Sequence, residues 1–303
     1  MVMRIPILID SDANNELDDQ HAIAYAAVNS DVFELVGVTV NNTPLGDGIQ
    51  GQYDEAKRVL ELCASFDRVP LFKGADRNYD DIKNALQTDT YDGKDAVEFI
   101  VAEARRQRDQ ALVLIPIGKL TNIALAIDRA PDIESRVRVV WLGSNYPEDG
   151  EYNLLADIPA VNRILNSTVP FEMVTVRYVQ TTGSAAVAVE TDFIRETMPG
   201  LGPQVAPIEG RHTGEFSFFG DYSVALFEHM NFPKRPLFDV VAVAVVKNPA
   251  WGSRREIPAP LLDGKTWQER VDNPRRIALW ENFDKDAILG DLFDSLRNYR
   301  LPS

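Results

Sequence analysis

Residues 4–26 read RIPILIDSDANNELDDQHAIAYA. The apolar run Ile5–Ile9 is short and rich in branched side chains, the character of a strand buried on both faces. From Asp18 onward the apolar residues recur at helical spacing, with Asp18 and Asp19 at the helix start. Between strand and helix sit Asp10, Asp12, Glu16, Asp18 and Asp19, five carboxylates in ten residues.

The same alternation continues along the chain. FELVGVTVNN (33–42), VPLFKGA (69–75), ALVLIPIG (111–118), RVVWLGSN (138–145) and PFEMVTV (170–176) read as strands. The stretches 52–66, 95–110, 120–137 and 157–167 between them have helical spacing. Strands alternating with helices predict an α/β fold with a mostly parallel open sheet flanked by helices. The second half is less regular. Helices are predicted over 191–199, 221–231 and 285–300, whereas DVVAVAVVKNP (239–249) is apolar throughout and fits helix or strand. No repeat, low-complexity tract or linker interrupts the pattern, so one domain over 1–303 is expected.

The net charge of −15 makes nucleic acid and anionic membranes poor partners. The lone Cys63 cannot form an internal disulfide, and its expected place is the core. The first apolar run is too short for a signal h-region or a membrane span, so a cytoplasmic location is expected.

In parallel sheets, ligands bind beyond the carboxyl ends of the strands. The segments there are DSDANNELDD, NNTPLGDG, PIGKLTN and LGSNYPEDGEYN, with PLFDVV later; they are rich in Asp and Asn. None contains a dinucleotide or P-loop glycine pattern. Carboxylates crowded at a buried strand end raise one another's pKa, and protonation or a bound cation relieves the repulsion. Helix capping accounts for one or two of the acids, but not for Asp10 and Asp12, which precede the turn. An all-oxygen set without a His/Cys cluster points to a hard cation rather than zinc.

These residues resemble the calcium-dependent nucleoside hydrolases of the inosine–uridine-preferring type. ILIDSDANNELDDQHAIAYA is similar to that family's DxDxGxDD strand end and following helix. The likeness continues in order through VTVNN, LIPIGKLTNIALAI, WLGSNYPEDGEYNLLADIPA and LFDVVAVAVV, from residue 5 to about residue 247. The resemblance implies hydrolysis of a ribonucleoside N-glycosidic bond, with Ca²⁺ as cofactor and Asp12 as general base. It implies Asp12, Asp19, Asp239 and the Ile117 carbonyl as metal ligands. It places Asp18, Asn42, Asn153 and Asp239 on the sugar hydroxyls, and Glu151 with Asn145 on the 5′-hydroxyl. It also implies a homodimer or homotetramer acting on a small nucleoside. Read without the resemblance, Asn145 and Asn153 serve equally well as turn formers, Asp239 as a helix cap, and Asp10 as an orienting group beside the ligands.

Two departures stand out. Five residues, ANNEL, separate Asp12 from Asp18 where the family pattern has three including a glycine; Asn14 and Asn15 are expected to take up the left-handed conformation in its place. Glu16 either adds an oxygen to the metal or faces solvent. Second, Phe238 stands where many members carry a histidine able to protonate the leaving base. Replacements for that acid are sought in RHTGEFSFFGDYSVALFEH: His212, Phe218 and Tyr222, with Phe219 and His229 as further possibilities. His21 and Trp141 are expected in the core.

Two rival readings use the same acids. In a haloacid-dehalogenase-like phosphatase, Asp10 and Asp12 would be nucleophile and acid, with Asp291 and Asp294 as the late pair. In a calcium-dependent ribose-binding protein, the site would be held without turnover.

Overall fold

A computed structural model describes residues 3–301; residues 1, 2, 302 and 303 of the expected 1–303 domain lie outside the described residues. Eight strands form the central sheet: β1 (Ile5–Ser11), β2 (Phe33–Val40), β3 (Leu71–Lys73), β4 (Leu112–Pro116), β5 (Val137–Leu142), β6 (Phe171–Val174), β7 (Ser253–Pro258) and β8 (Arg276–Glu281). Their order is β7-β8-β6-β5-β4-β1-β2-β3. All neighbours pair parallel except the edge strand β7, which runs antiparallel to β8. The predicted α/β class with a mostly parallel sheet is the one observed.

Period-two alternation divides the interior into two cores, one on each face. Ile7, Ile9, Val113, Ile115, Val140 and Leu142 pack on one side. Leu8, Leu112, Leu114, Val139 and Trp141 pack on the other. Pro6 lacks the N–H a central strand needs, but pairing of β1 with β4 begins only at Ile7, so the missing donor lies outside that ladder. The register of β1 against β2 shifts between Ile7 and Leu8.

Helix α1 (Asp18–Val28) is buried along its whole length. A helix enclosed on all sides carries no polar stripe, which is why AIAYAAV reads as continuous apolar sequence. It packs against α2 (Gly48–Leu62), α3 (Phe238–Lys247) and α4 (Lys285–Arg297). The ambiguous 239–249 segment is thus the helix α3, buried from Asp239 to Val246. His21 is a satisfied core histidine: Nδ1 lies 2.6 Å from the Leu17 carbonyl and Nε2 2.7 Å from Ser223 Oγ. Cys63 is buried. No helix among the described residues is long and apolar enough to cross a membrane.

Trp141 is fully buried, and its Nε1 donates to the Gly118 carbonyl at 3.0 Å. It ties the tip of β5 to the loop after β4, two of the walls on which the site is built. Trp141→Ala is expected to cost about 3–5 kcal/mol, through a large cavity and an orphaned carbonyl, read as a shift in the urea midpoint.

Candidate active site

β1 delivers Asp10 and Asp12 at its carboxyl end, α1 opens with Asp18 and Asp19, and α3 carries Asp239 in its first turn. Two helix N-termini therefore converge where β1 ends, and their positive ends favour negative charge there. Carboxylate oxygens of Asp18, Asp19 and Asp239 all lie within 4.8 Å of one another, each residue buried. Asp12 stands beside them, and its charge raises the pKa of all three. The trio differs from the expected ligand set in containing Asp18 where Asp12 was expected.

Burial is the largest cause of every shift here. It pushes Asp12 and Asp18 up to about 6. Asp19 and Asp239 are moved well above the usual carboxylate range by burial and then by the neighbouring acids. Among the described residues, Ser11 is the only side-chain donor to the trio, with Oγ 2.6 Å from Asp19 Oδ1. Asp10 contrasts sharply: it is fully buried and accepts from Thr39 (2.6 Å), Asn41 (3.0 Å) and Asn122 (2.7 Å). Asp10 is a structural anchor that ties the end of β1 to the end of β2 and to the first turn of the helix Thr121–Arg129. Three buried acids with one side-chain hydroxyl between them and oxygen-only chemistry fit a hard divalent cation. The Ile117 carbonyl lies on the same cavity wall and accepts from Asn153 Nδ2 at 2.9 Å.

The cavity above the acids has a volume of about 310 Å³. Its wall includes Asp12, Asp18, Asp19, Ile117, Glu151, Asn153 and Asp239, seven of the residues singled out in the sequence. Asp12 Oδ2 is held by Thr43 Oγ1 at 2.6 Å and Asn15 Nδ2 at 3.3 Å. Gly118 is required by close approach: a Cβ there would lie 2.7 Å from Asp12 Oδ1 and 2.9 Å from the Asn41 amide. Glu151 caps a short helix, Tyr152–Ala156, by accepting from the backbone N–H groups of Ser144, Asn153 and Leu154, each at 2.9 Å. Its φ is +132°, a strained value for a non-glycine residue. Burial first, opposed by these backbone donors, leaves its pKa at about 6.

Other expected site residues lie elsewhere. Asn42 is not on the cavity wall; its N–H donates to the Ala75 carbonyl and its buried Oδ1 has no partner. Asn145 is also off the wall, where its Oδ1 accepts from the Tyr178 N–H at 3.3 Å. None of the leaving-group replacements lines the cavity. The His212 and His229 rings stack on each other, Phe218 directly precedes the helix Phe219–Met230, Phe219 is core, and the Tyr222 hydroxyl donates to Glu55 at 2.6 Å. The sequence reading missed Tyr152, Tyr178 and Arg235, which do line it.

The long turn is also built differently from expectation. Neither Asn14 nor Asn15 has a positive φ. The turn is instead tied from outside: Gln52 accepts from the Asn14 N–H at 2.6 Å, Asn14 Nδ2 donates to the Gly46 carbonyl at 2.8 Å, and Arg211 donates to the carbonyls of Asn15 and Glu16 at 3.3 and 3.1 Å. Glu16 lines the cavity and is ion-paired with Arg235.

The phosphatase reading finds no footing in this geometry. Asp10 is sealed behind three donors, Asp291 pairs with Lys247 at 2.5 Å, and Asp294 pairs with Arg297 at 2.5 Å.

An acid-floored cavity at the carboxyl ends of a parallel sheet is the arrangement of an α/β enzyme. The chain belongs to the inosine-uridine preferring nucleoside hydrolase family, whose profile matches residues 7–289. It is 27% identical over 191 residues to the inosine-uridine preferring nucleoside hydrolase of Crithidia fasciculata, covering 55% of this chain and 59% of that protein. It is 27% identical over 197 residues to the pyrimidine-specific ribonucleoside hydrolase RihA of Shewanella sp. (strain ANA-3), covering 56% and 58%. The matches thus span less than two thirds of these relatives' length. The structure of the purine-preferring ribonucleoside hydrolase from Gardnerella vaginalis shares the fold, with a TM-score of 0.70 at 20% identity over 97% of this chain and 98% of that one.

Proposed function

We propose that the protein is a ribonucleoside N-ribohydrolase that uses Ca²⁺ and releases ribose and a free base. The observation that supports this most is the buried Asp18–Asp19–Asp239 trio, with Asp12 at its side, facing a polar cavity. In this reading Asp12, Asp19, Asp239 and the Ile117 carbonyl hold the ion, with Asp18 near enough to share it. When bound, the cation offsets the carboxylate repulsion and makes a water molecule more acidic.

Asp12 then acts as general base. Thr43 and Asn15 hold its Oδ2. Burial pushes its carboxyl up to about 6, and a bound cation favours the ionised form, so it is a carboxylate able to accept a proton near neutral pH. It takes the proton as the water oxygen bonds to C1′, and the electron pair of the breaking C1′–N bond leaves with the base. Asp18, Asn153 and Asp239 face the sugar hydroxyls, and Glu151 receives the 5′-hydroxyl. Asn153 Nδ2 is fixed by the carbonyls of Ile117 at 2.9 Å and Leu142 at 3.2 Å, which sets the orientation of its amide.

Base release from inosine and uridine, with and without a chelator, tests the assignment. A wall of buried polar groups built around a diol rejects a substrate lacking one hydroxyl, because those groups are left unpaired. Inosine is expected to exceed 2′-deoxyinosine in kcat/KM by about 10⁴-fold. Comparable turnover of the two would remove the sugar-binding roles given to Asp18, Asn153 and Asp239.

A further inference from the structure

The charged residues on the cavity wall are unbalanced. Six are carboxylates: Asp12, Glu16, Asp18, Asp19, Glu151 and Asp239; one is a cation, Arg235. Among the described residues no lysine or histidine lines the cavity, and the position before Asp239 is Phe238. A protein of this chemistry must still accommodate the electron pair that departs with the base.

Arg235 sits on a short strand, Lys234–Pro236, paired with Ala188–Glu190. Its side chain is only 15% exposed and its guanidinium lies 5.4 Å from the Phe232 ring centroid. Nη2 is paired with Glu16, while the buried Nε has no partner. Glu16 belongs to the long ANNEL turn, whose backbone Arg211 grips at Asn15 and Glu16. The longer turn therefore carries a carboxylate to Arg235 and holds it in place. Arginine stays protonated under any working condition, so it cannot act as an acid; it can only donate hydrogen bonds and positive charge.

We propose that Arg235, tethered by Glu16, stabilises the departing heterocycle as an anion, in place of a group that protonates it. This rests on the N-ribohydrolase reading. As the C1′–N bond breaks, its electron pair moves onto the heterocycle, and Arg235 donates charge-assisted hydrogen bonds to an oxo or ring-nitrogen acceptor there. The water proton passes to Asp12, and the released anion takes its proton from solvent. The favoured substrates are ribosides whose leaving group carries such acceptors and tolerates negative charge. Tyr152 and Tyr178 also line the cavity. Burial raises the pKa of both phenols, and Glu151 adds to the effect at Tyr178, so they are poor proton donors.

The test compares kcat/KM for inosine, uridine and 4-nitrophenyl β-ribofuranoside, whose nitrophenolate departs without assistance, in wild type, R235Q, R235K and Y178F. For R235Q, the loss on inosine and uridine is expected to be about 10²-fold, and at least tenfold smaller on the nitrophenyl riboside. R235K should fall between wild type and R235Q, and it carries the same comparison should R235Q fail to fold. An equal loss on all three substrates would make Arg235 a mere brace for the turn and overturn the proposal. So would a substrate-selective loss in Y178F instead of R235Q. Wild-type protein that cleaves none of the three would overturn the N-ribohydrolase reading itself.

Discussion

Asp12→Ala is expected to lower kcat/KM for ribonucleoside cleavage by about 10³–10⁴-fold while the protein stays folded. The size follows from the lack of a substitute. Asp10 is sealed by Thr39, Asn41 and Asn122. Glu151 is occupied by three backbone donors. Asp18, Asp19 and Asp239 are gathered on one another. Asp12→Asn keeps the shape but not the basicity and is expected to lose nearly as much. Its thermal midpoint without metal should equal or exceed that of wild type, because one buried like charge has been removed. Steady-state base release together with calorimetry separates these effects. Activity of the Ala variant within tenfold of wild type would exclude Asp12 as the base.

Stripping the cation should be equally drastic: excess chelator is expected to reduce activity at least about 10³-fold and to destabilise the fold with an unusual pH dependence. The sign follows from linkage. Asp10, Asp12 and Asp18 have folded-state pKa values of about 6 against 3.8 for the free side chain. Between those values the folded protein binds more protons than the unfolded chain, so stability falls as pH rises and is lowest above about 6. A group displaced by roughly two units contributes on the order of 3 kcal/mol to that penalty. His21 acts the other way: burial lowers its pKa from 6.5 to about 4, so its neutral, folded-state stability is lost as pH falls through that window. One histidine opposes several carboxylates, and the net slope is set by the acids. In EDTA the thermal midpoint is therefore expected to be lower at pH 7.5 than at pH 5. Added Ca²⁺ should raise it far more at pH 7.5. A chelated protein that is most stable at pH 7.5 would contradict this.

The first half of the fold was legible because parallel strands and their helices leave local signals. An apolar run ending in Asp or Asn marks the carboxyl end of a strand, which pointed to the segments after β1, β2, β4 and β5; the individual roles of Asp12, Asp18, Asp19, Ile117, Glu151, Asn153 and Asp239 came from the family resemblance. The missed strands β7 and β8 are less typical. Four of the six β7 residues are exposed, as an edge strand permits, so SRREIP shows no apolar period. Helix α3 was ambiguous because burial on all sides erases the helical stripe.

Where the site differs from expectation, the local sequence carried no signal. Asn42 was expected on the sugar hydroxyls; adjacent residues in an extended chain face opposite ways, and its neighbour Asn41 reaches Asp10 and borders Gly118. The pairing of Glu16 with Arg235 joins segments far apart in the chain and has no local signature. Tyr178 lies beside two non-glycine residues of positive φ, Arg177 and Val179, a backbone state that no propensity would have indicated.

In the proposed function a calcium ion holds together the buried acids at the tip of β1. Isothermal titration of chelator-treated protein with CaCl₂ at pH 7.5 tests it most directly. Saturable binding of one Ca²⁺ per chain is predicted for wild type, with affinity at least about 10²-fold weaker in Asp239→Asn. Absence of binding in wild type, or equal affinity in the variant, would contradict the account.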